Sequence, residues 1–230
     1  MRPRRTFSKT MQILVIVPVY NEWPHLLPVL KGLRRHFSHI LVVDDGSEDK
    51  SFLWHLTHEG FDHLSLPFNL GHWNAVQAGF RYALRMGYEG VITFDGDGQH
   101  LPDGALAIAP YLEEGYDVVV GNDNGRGTLA KKLCWKTLNR LAGLEIQDFT
   151  SGLRGYSHSA MTALIRRPLV GLHYQDLGVL FMAQEMGLKM IEVPTPMAER
   201  AGETSRVFPT LTSVISYMCI TLIFILARRP

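Results

Sequence analysis

Runs of branched apolar residues recur through the first half of the chain, at "QILVIVPV", "HILVVD", "DHLSLP", "GVITFD" and "YDVVVG", with helix-length segments between them. A strand with one wet face alternates apolar and polar residues, whereas a strand covered on both faces is apolar at almost every position. Four of the runs are of the second kind, and "DHLSLP" is weaker. In the segment from Ala75 to Met86, Val76, Phe80, Ala83 and Leu84 recur at helical spacing. Near-continuous strands separated by amphipathic helices predict an α/β fold, a mostly parallel central sheet with helices on both faces. Ser47 reads as a helix N-cap, with Glu48 and Asp49 in the first turn of the helix it starts. Past Lys131 the alternation loosens. There "FTSGLRGY" and "LKMIEVP" predict further strands beside a helix from Asp176 to Met186.

Composition narrows the function classes. The 230 residues are 46% hydrophobic and 20% charged, an ordinary globular balance that suits one large domain or one domain with an appendage. A net charge of +1 does not advertise a nucleic-acid surface, and no nucleic-acid partner is expected. Cys134 and Cys219 lie too far apart in sequence for a redox or metal spacing, which favours a reducing compartment. The opening "MRPRR" lacks the apolar core and cleavage site of a signal peptide, so residues 1–10 read as a flexible basic arm.

The polar residues are placed with more purpose. The first run leads into Tyr20, Asn21 and Glu22, the second ends at Asp44 and Asp45, the third near Asn69, and the fourth at Asp95 and Asp97. Open α/β sheets bind ligands at the C-terminal ends of their strands. Turn propensity alone accounts for Asn69 as well as binding does, but turning needs no clustered charge. Two carboxylates one residue apart raise each other's pKa unless a cation neutralises them. Mg²⁺ or Mn²⁺, hard ions that prefer oxygen, would do so from Asp95, Asp97 and the amide oxygen of Gln99, with substrate phosphate completing the shell. Gly96 and Gly98 let the backbone bend there.

Rival readings of "DGDGQH" fail on position. A helix–loop–helix calcium site needs Gly and Glu where His100 and Leu106 stand. A dehalogenase-type phosphatase would carry its acidic pair after the first strand, with Thr or Val in place of Gln99. A dinucleotide fold needs G-x-G-x-x-G after that strand, where "PVYNEWP" has no glycine. A sugar nucleotidyltransferase would show a glycine-rich basic loop there. His72, His100 and the trio His55, His58 and His63 lack a matching ligand cluster and read as surface or supporting residues. Cys134, Trp73 and Trp135 read as packing residues or groove walls.

Taken in order, "VIVPVYNE", "VVDDGS", "NLGHWNAVQAGF", "FDGDGQHLP", "DFTSGLRGYS" and "EVPTPMAERAGETSR" resemble the inverting family 2 glycosyltransferases from about Ile13 to Arg206. The resemblance is to the branch of dolichol-phosphate mannosyltransferase and bacterial polyprenyl-phosphate glycosyltransferases. It implies a GT-A fold (Rossmann-like) with a nucleotide-sugar donor and Mg²⁺ or Mn²⁺. Pro18, Tyr20 and Glu22 would line the nucleoside pocket with Asn21, Asn69 and Gly71, while Val43 and Asp45 hold base and ribose. Asp95, Gly96, Asp97 and Gln99 match the donor and metal motif. Arg200 and Arg206 would face phosphate. The sequence departs from the family at "GNDN", where Asp123 stands in place of an arginine; Arg126 is the candidate substitute. Asp176, opening the late helix, matches the family's base where one acts, although a first-turn acid also suits a helix start with no chemical role.

The expected reaction is sugar transfer from the nucleotide donor to a polyprenyl phosphate. The alternatives are a hydroxyl of a lipid-linked glycan or polysaccharide as acceptor, or a nucleotide-sugar-binding protein without activity. A catalytic domain over 11–206 precedes an uncharged stretch from Val207 to Ala227, 21 residues long, followed by Arg228 and Arg229. As a helix it would measure about 30 Å, one hydrocarbon thickness. The expectation is a C-terminal apolar helix over 207–230 that attaches the chain to the cytoplasmic face of a membrane, either spanning it or lying in the interface.

Overall fold

In the computed structural model the described residues are 11–123, 143, 146–148, 150–166, 175–195 and 197. The strands are β1 (Ile13–Val19), β2 (Ile40–Asp44), β3 (Asp62–Ser65), β4 (Gly90–Thr93), β5 (Val118–Asn122), β6 (Arg154–Ser157) and β7 (Met190–Pro194). They form one sheet in the order β3-β2-β1-β4-β6-β5-β7. Every pairing is parallel except those of β6, which runs antiparallel to both β4 and β5. The helices are α1 (Trp23–Arg34), α2 (Ser51–His58), α3 (His72–Met86), α4 (Pro102–Glu113), α5 (His158–Leu164) and α6 (Gln175–Glu185).

The doubly apolar strands serve two cores. Leu14 and Ile16 of β1, Leu41 and Val43 of β2 and Val91 of β4 point to one face, against Val76, Phe80 and Ala83 of α3 and Met161 and Leu164 of α5. Val15, Val17 and Val19 of β1, Val42 of β2 and Ile92 of β4 point to the other, against Leu26, Leu30 and Leu33 of α1 and Ile108 and Leu112 of α4. Burying each such side chain fully stabilises the fold by about 1.5–3 kcal/mol. Strand β3 behaves as its weaker pattern predicts: it lies at the sheet edge with Asp62, His63 and Ser65 exposed. Helix α3 closes where its apolar stripe ends. Gly87, at φ 81°, donates to the Leu84 carbonyl while Tyr88 donates to that of Ala83, the paired bonds of a Schellman motif.

One local expectation is corrected. Ser47 is not a helix cap: α2 begins at Ser51, whose backbone N–H is met by Asp49 Oδ1 at 2.8 Å. The Ser47 hydroxyl is already committed to another loop, accepting from the Asn21 N–H at 3.0 Å. The tail 207–230, together with Arg126, Cys134, Trp135, Arg200 and Arg206, lies outside the described residues. Among the described residues no helix is long and apolar enough to cross a membrane.

Candidate active site

The strand order sets where a crevice opens. From β1 the chain steps to β2 and β3 on one side, then returns to place β4 on the other. The C-terminal ends of β1 and β4 therefore flank the point at which the connections diverge, the position where α/β sheets take ligands. Tyr20–Glu22 follow β1, and Asp95–His100 follow β4. The loops after β2 and β3 continue the same edge, so the four acidic or amide-bearing loops marked by sequence do adjoin. Pro18 is compatible with a central strand because β1 and β4 pair only as far as Ile16 and Thr93. Beyond that level its missing N–H costs the β4 ladder nothing.

Three of these loops are tied together. Asn21 adopts φ 53°, which asparagine tolerates better than most residues. Its N–H donates to Ser47 Oγ, and its Oδ1 accepts from the Glu48 N–H at 3.1 Å. Asp45, buried after β2, accepts from the Leu70 N–H at 2.8 Å and the Gly71 N–H at 2.9 Å, one on each carboxylate oxygen. Burial pushes the Asp45 carboxyl above the ordinary range, because those bonds and the charge of His72 do not fully offset it and Asp44 adds repulsion. Asn69 closes a local turn on the same Gly71 N–H at 3.0 Å. Asp44 is fully buried, yet Lys50 at 2.5 Å with the Ser47 and Ser65 groups outweighs burial and holds its carboxyl below the usual value. The Val43 side chain is buried in the core, so only its main chain is available to a ligand.

The loop after β4 holds the acidic pair. Gly96 packs its backbone on Val19 and Leu26, where an added Cβ would lie 3.0 Å from Val19. Gly98 turns the chain at φ 79°. Asp97 Oδ1 accepts from the Gln99 N–H at 3.0 Å, and the Gln99 side-chain amide donates to the other oxygen. Asp95 Oδ2 lies 3.2 Å from His100 Nε2, with the histidine side chain 2% exposed and the aspartate 31%. Burial works to raise the Asp95 pKa. The hydrogen bond and charge of His100, then His72 and Arg154, overcome it and keep the carboxyl below its ordinary value. A carboxylate that stays ionised and partly open, beside a second on the same loop, is a donor set suited to a hard divalent cation. Among the described residues no group of three or more His, Cys, Asp or Glu gathers to hold a metal. Asp95 and Asp97 supply the one or two carboxylates that Mg²⁺ takes when water and phosphate fill the rest of its shell.

Three neighbours of Asp95 carried no assigned role in the sequence reading: Gly152, Arg154 and the specific contact of His100. Antiparallel pairing sets Thr93 opposite Arg154, and the Thr93 hydroxyl donates to the Gly152 carbonyl at 2.8 Å. Gly152 is thereby pressed onto the acidic side chain; a Cβ there would stand 2.3 Å from both Asp95 oxygens. Gly152→Ala is expected to push that carboxylate aside and lower turnover about 100-fold, the usual cost of a displacement near 1 Å, while melting falls by only a few degrees. Parallel kinetic and thermal measurements check this; unaltered turnover would show that Asp95 is not needed where it stands.

Asp176 is the second residue of α6, at the helix start where first-turn acids commonly sit. The loops after β1, β2, β3 and β4, with Gly152 and Arg154, lie within residues 14–169, which match the sequence model described as Glycosyl transferase family 2. The chain belongs to glycosyl transferase family 2. Among members of that family, polyprenol monophosphomannose synthase of Mycolicibacterium smegmatis is 30% identical over 216 residues, 85% of this chain and 80% of that protein. Undecaprenyl-phosphate mannosyltransferase of Micrococcus luteus is 29% identical over 211 residues, covering 83% of this chain and 85% of the other. The glycosyl transferase fold is also that of glucosyl-3-phosphoglycerate synthase from Mycobacterium tuberculosis, solved with Mn²⁺, UDP-glucose and glycerol 3-phosphate. It aligns with TM-score 0.68 at 18% identity, over 96% of this chain and 82% of that one. The family 2 match spans β1 to β6 and α5, whereas α6 and β7 follow it in the chain.

Proposed function

We propose that this glycosyltransferase moves a sugar from a nucleotide-sugar donor, bound with Mg²⁺ or Mn²⁺, to a polyprenyl phosphate at a membrane. The observation that carries the reading is the ionised, partly open Asp95 beside Asp97 at the divergence of the sheet connections, in a chain whose named relatives act on polyprenyl phosphates. Pro18, Tyr20, Asn21, Glu22, Val43, Asp45, Asn69 and Gly71 form the nucleoside half of the site. Asp95, Asp97 and Gln99 hold the diphosphate half.

Asp95 and Asp97 would hold the divalent ion, which when bound would supply positive charge against the departing nucleoside diphosphate. Gln99 keeps Asp97 oriented through its two donated bonds. Asp45 holds the Leu70–Gly71 turn beside the nucleoside, so that wall is formed before the donor arrives. A phosphate monoester with its second pKa near about 6 is already ionised at neutral pH, so the acceptor oxygen attacks the anomeric carbon without a protein base. Asp176 is then dispensable. Met197, three residues before Arg200 in the sequence, pairs with His100 across a backbone bridge. We assign Arg200 and Arg206, with Arg126, to the phosphates. Strand β6 stands between β4 and β5, so Asp123, just past β5, follows a strand end about 10 Å along the sheet from that of Asp95. We further assign residues 1–10 to a basic arm, 11–206 to the catalytic domain and 207–230 to membrane attachment at the cytoplasmic face. Attachment there concentrates enzyme and lipid acceptor in one layer.

The test is a melting panel of nucleotide sugars with and without Mn²⁺, followed by transfer of labelled sugar to undecaprenyl phosphate. A true donor at about 100 times its Kd stabilises by about 2.7 kcal/mol, a rise of about 5–10 °C for a chain of this size. A flat panel would sink the donor assignment, and donor binding without lipid labelling would sink the acceptor.

A further inference from the structure

The geometry points to His100 as a positioning residue that fixes the Asp95 carboxylate for the metal–diphosphate group. The ring is buried, and its Nε2 lies 3.2 Å from Asp95 Oδ2. It packs edge-on against Phe94 at 5.7 Å between centroids, while its main chain is bridged to Met197. The imidazole is thus fixed by its neighbours, and among the described residues its one polar contact is the carboxylate. Its other nitrogen, Nδ1, is buried with no hydrogen-bond partner. A buried polar atom left unpaired is a cost that phenylalanine would avoid at this position. Packing is therefore a poor reason for a histidine here, and the bond to Asp95 is a good one. With a proton on Nε2, the ring donates to Oδ2.

The Gly152 backbone also confines the carboxylate. The glycine Cα has no substituent, and the space a Cβ would need is filled by both Asp95 oxygens. Between the ring and the glycine backbone the carboxylate has little freedom to turn away, yet at 31% exposure it still reaches the crevice. Hydrogen-bonded partners of this sort, which orient a ligating group without touching the metal, typically carry 10–100-fold of metal affinity.

The inference rests on the reading of Asp95 as part of the donor–metal site. The experiment uses the purified full chain, with Mn²⁺ binding followed by electron paramagnetic resonance in the presence of UDP and, separately, GDP. His100→Phe keeps the ring and loses the donor; it is expected to weaken Mn²⁺ binding about 10–100-fold. His100→Gln, which can again present an N–H near Oδ2, is expected to recover most of that loss. In an Asp95→Asn background the change to phenylalanine should cost no more than about twofold further, because the interaction it removes is already gone. Should His100→Phe fail to fold, His100→Asn, too short to reach Oδ2, is read in the same way. Parent-like Mn²⁺ affinity in a folded His100→Phe protein overturns the positioning role alone, as does an equal loss in both backgrounds. Absence of Mn²⁺ binding by the parent chain with either nucleotide overturns the donor-site reading, and this inference with it.

Discussion

Asp97→Ala is expected to lower sugar transfer about a thousandfold while the chain still melts within a few degrees of the parent. The contacts that Asp97 makes are short-range: both oxygens accept from Gln99, two residues on. Removing them loosens one turn and leaves both cores untouched. The chemical loss is far larger. Breaking the sugar–phosphate bond leaves charge on the diphosphate, and removing one fixed group that stabilises such charge commonly costs 10²–10³ in rate. Asp97 is one of the two carboxylates proposed to hold the metal, which puts the expected loss at the upper end of that range or beyond. Product formation from labelled donor, read beside a melting curve, measures both effects. If more than about a tenth of the parent rate survives at saturating Mn²⁺, Asp97 does not hold the metal.

The second large effect is on stability. Gly46 sits at φ 75°, and an alanine Cβ there would stand 2.3 Å from the Phe68 carbonyl carbon and 2.6 Å from the Asn69 nitrogen. Those are backbone atoms, so no rotamer change relieves the clash. A left-handed alanine costs about 1–2 kcal/mol and an overpacked contact about 1–3 kcal/mol. Gly46→Ala is accordingly expected to destabilise by about 2–5 kcal/mol, lowering the melting temperature by about 10 °C. The Asp45 bonds to Leu70 and Gly71 lie beside the clash, so donor affinity should fall along with stability. Urea denaturation measures the first and donor titration the second. A loss below about 1 kcal/mol would mean that the loops after β2 and β3 yield more readily than their geometry implies.

Much of the framework was legible because its signals are local. Apolar runs reveal strands by composition, and α3 reveals itself by period. Acidic or amide residues after four successive strands reveal an edge, because parallel strands discharge on one side. The signals that failed needed knowledge of what lies across the fold. Ser47 carries the chemistry of a cap, but a loop 26 residues away takes its hydroxyl, and the helix starts later. Gly152 stood in plain view within "DFTSGLRGYS", yet nothing in the string says that β6 runs antiparallel and presses that glycine against Asp95. His100 was legible as a supporting residue but not as the partner of Asp95, since a histidine five residues on can point several ways. Asp45 was expected at the base and ribose; its two carboxylate oxygens are engaged by the neighbouring turn, a bond pattern that depends on the separation of two loops.

The reversed strand β6 carries a mechanical consequence. Within the sheet, β5 and β7 join the other strands only through its four residues, Arg154–Ser157. Helix α4 packs across β4, β5 and β7 as well, so that seam and α4 together hold the far strands, and a change in the twist of β6 would widen or narrow the gap between the rims of the two halves. Substitutions buried along it could thus retune which acceptors fit, without altering any group that meets them.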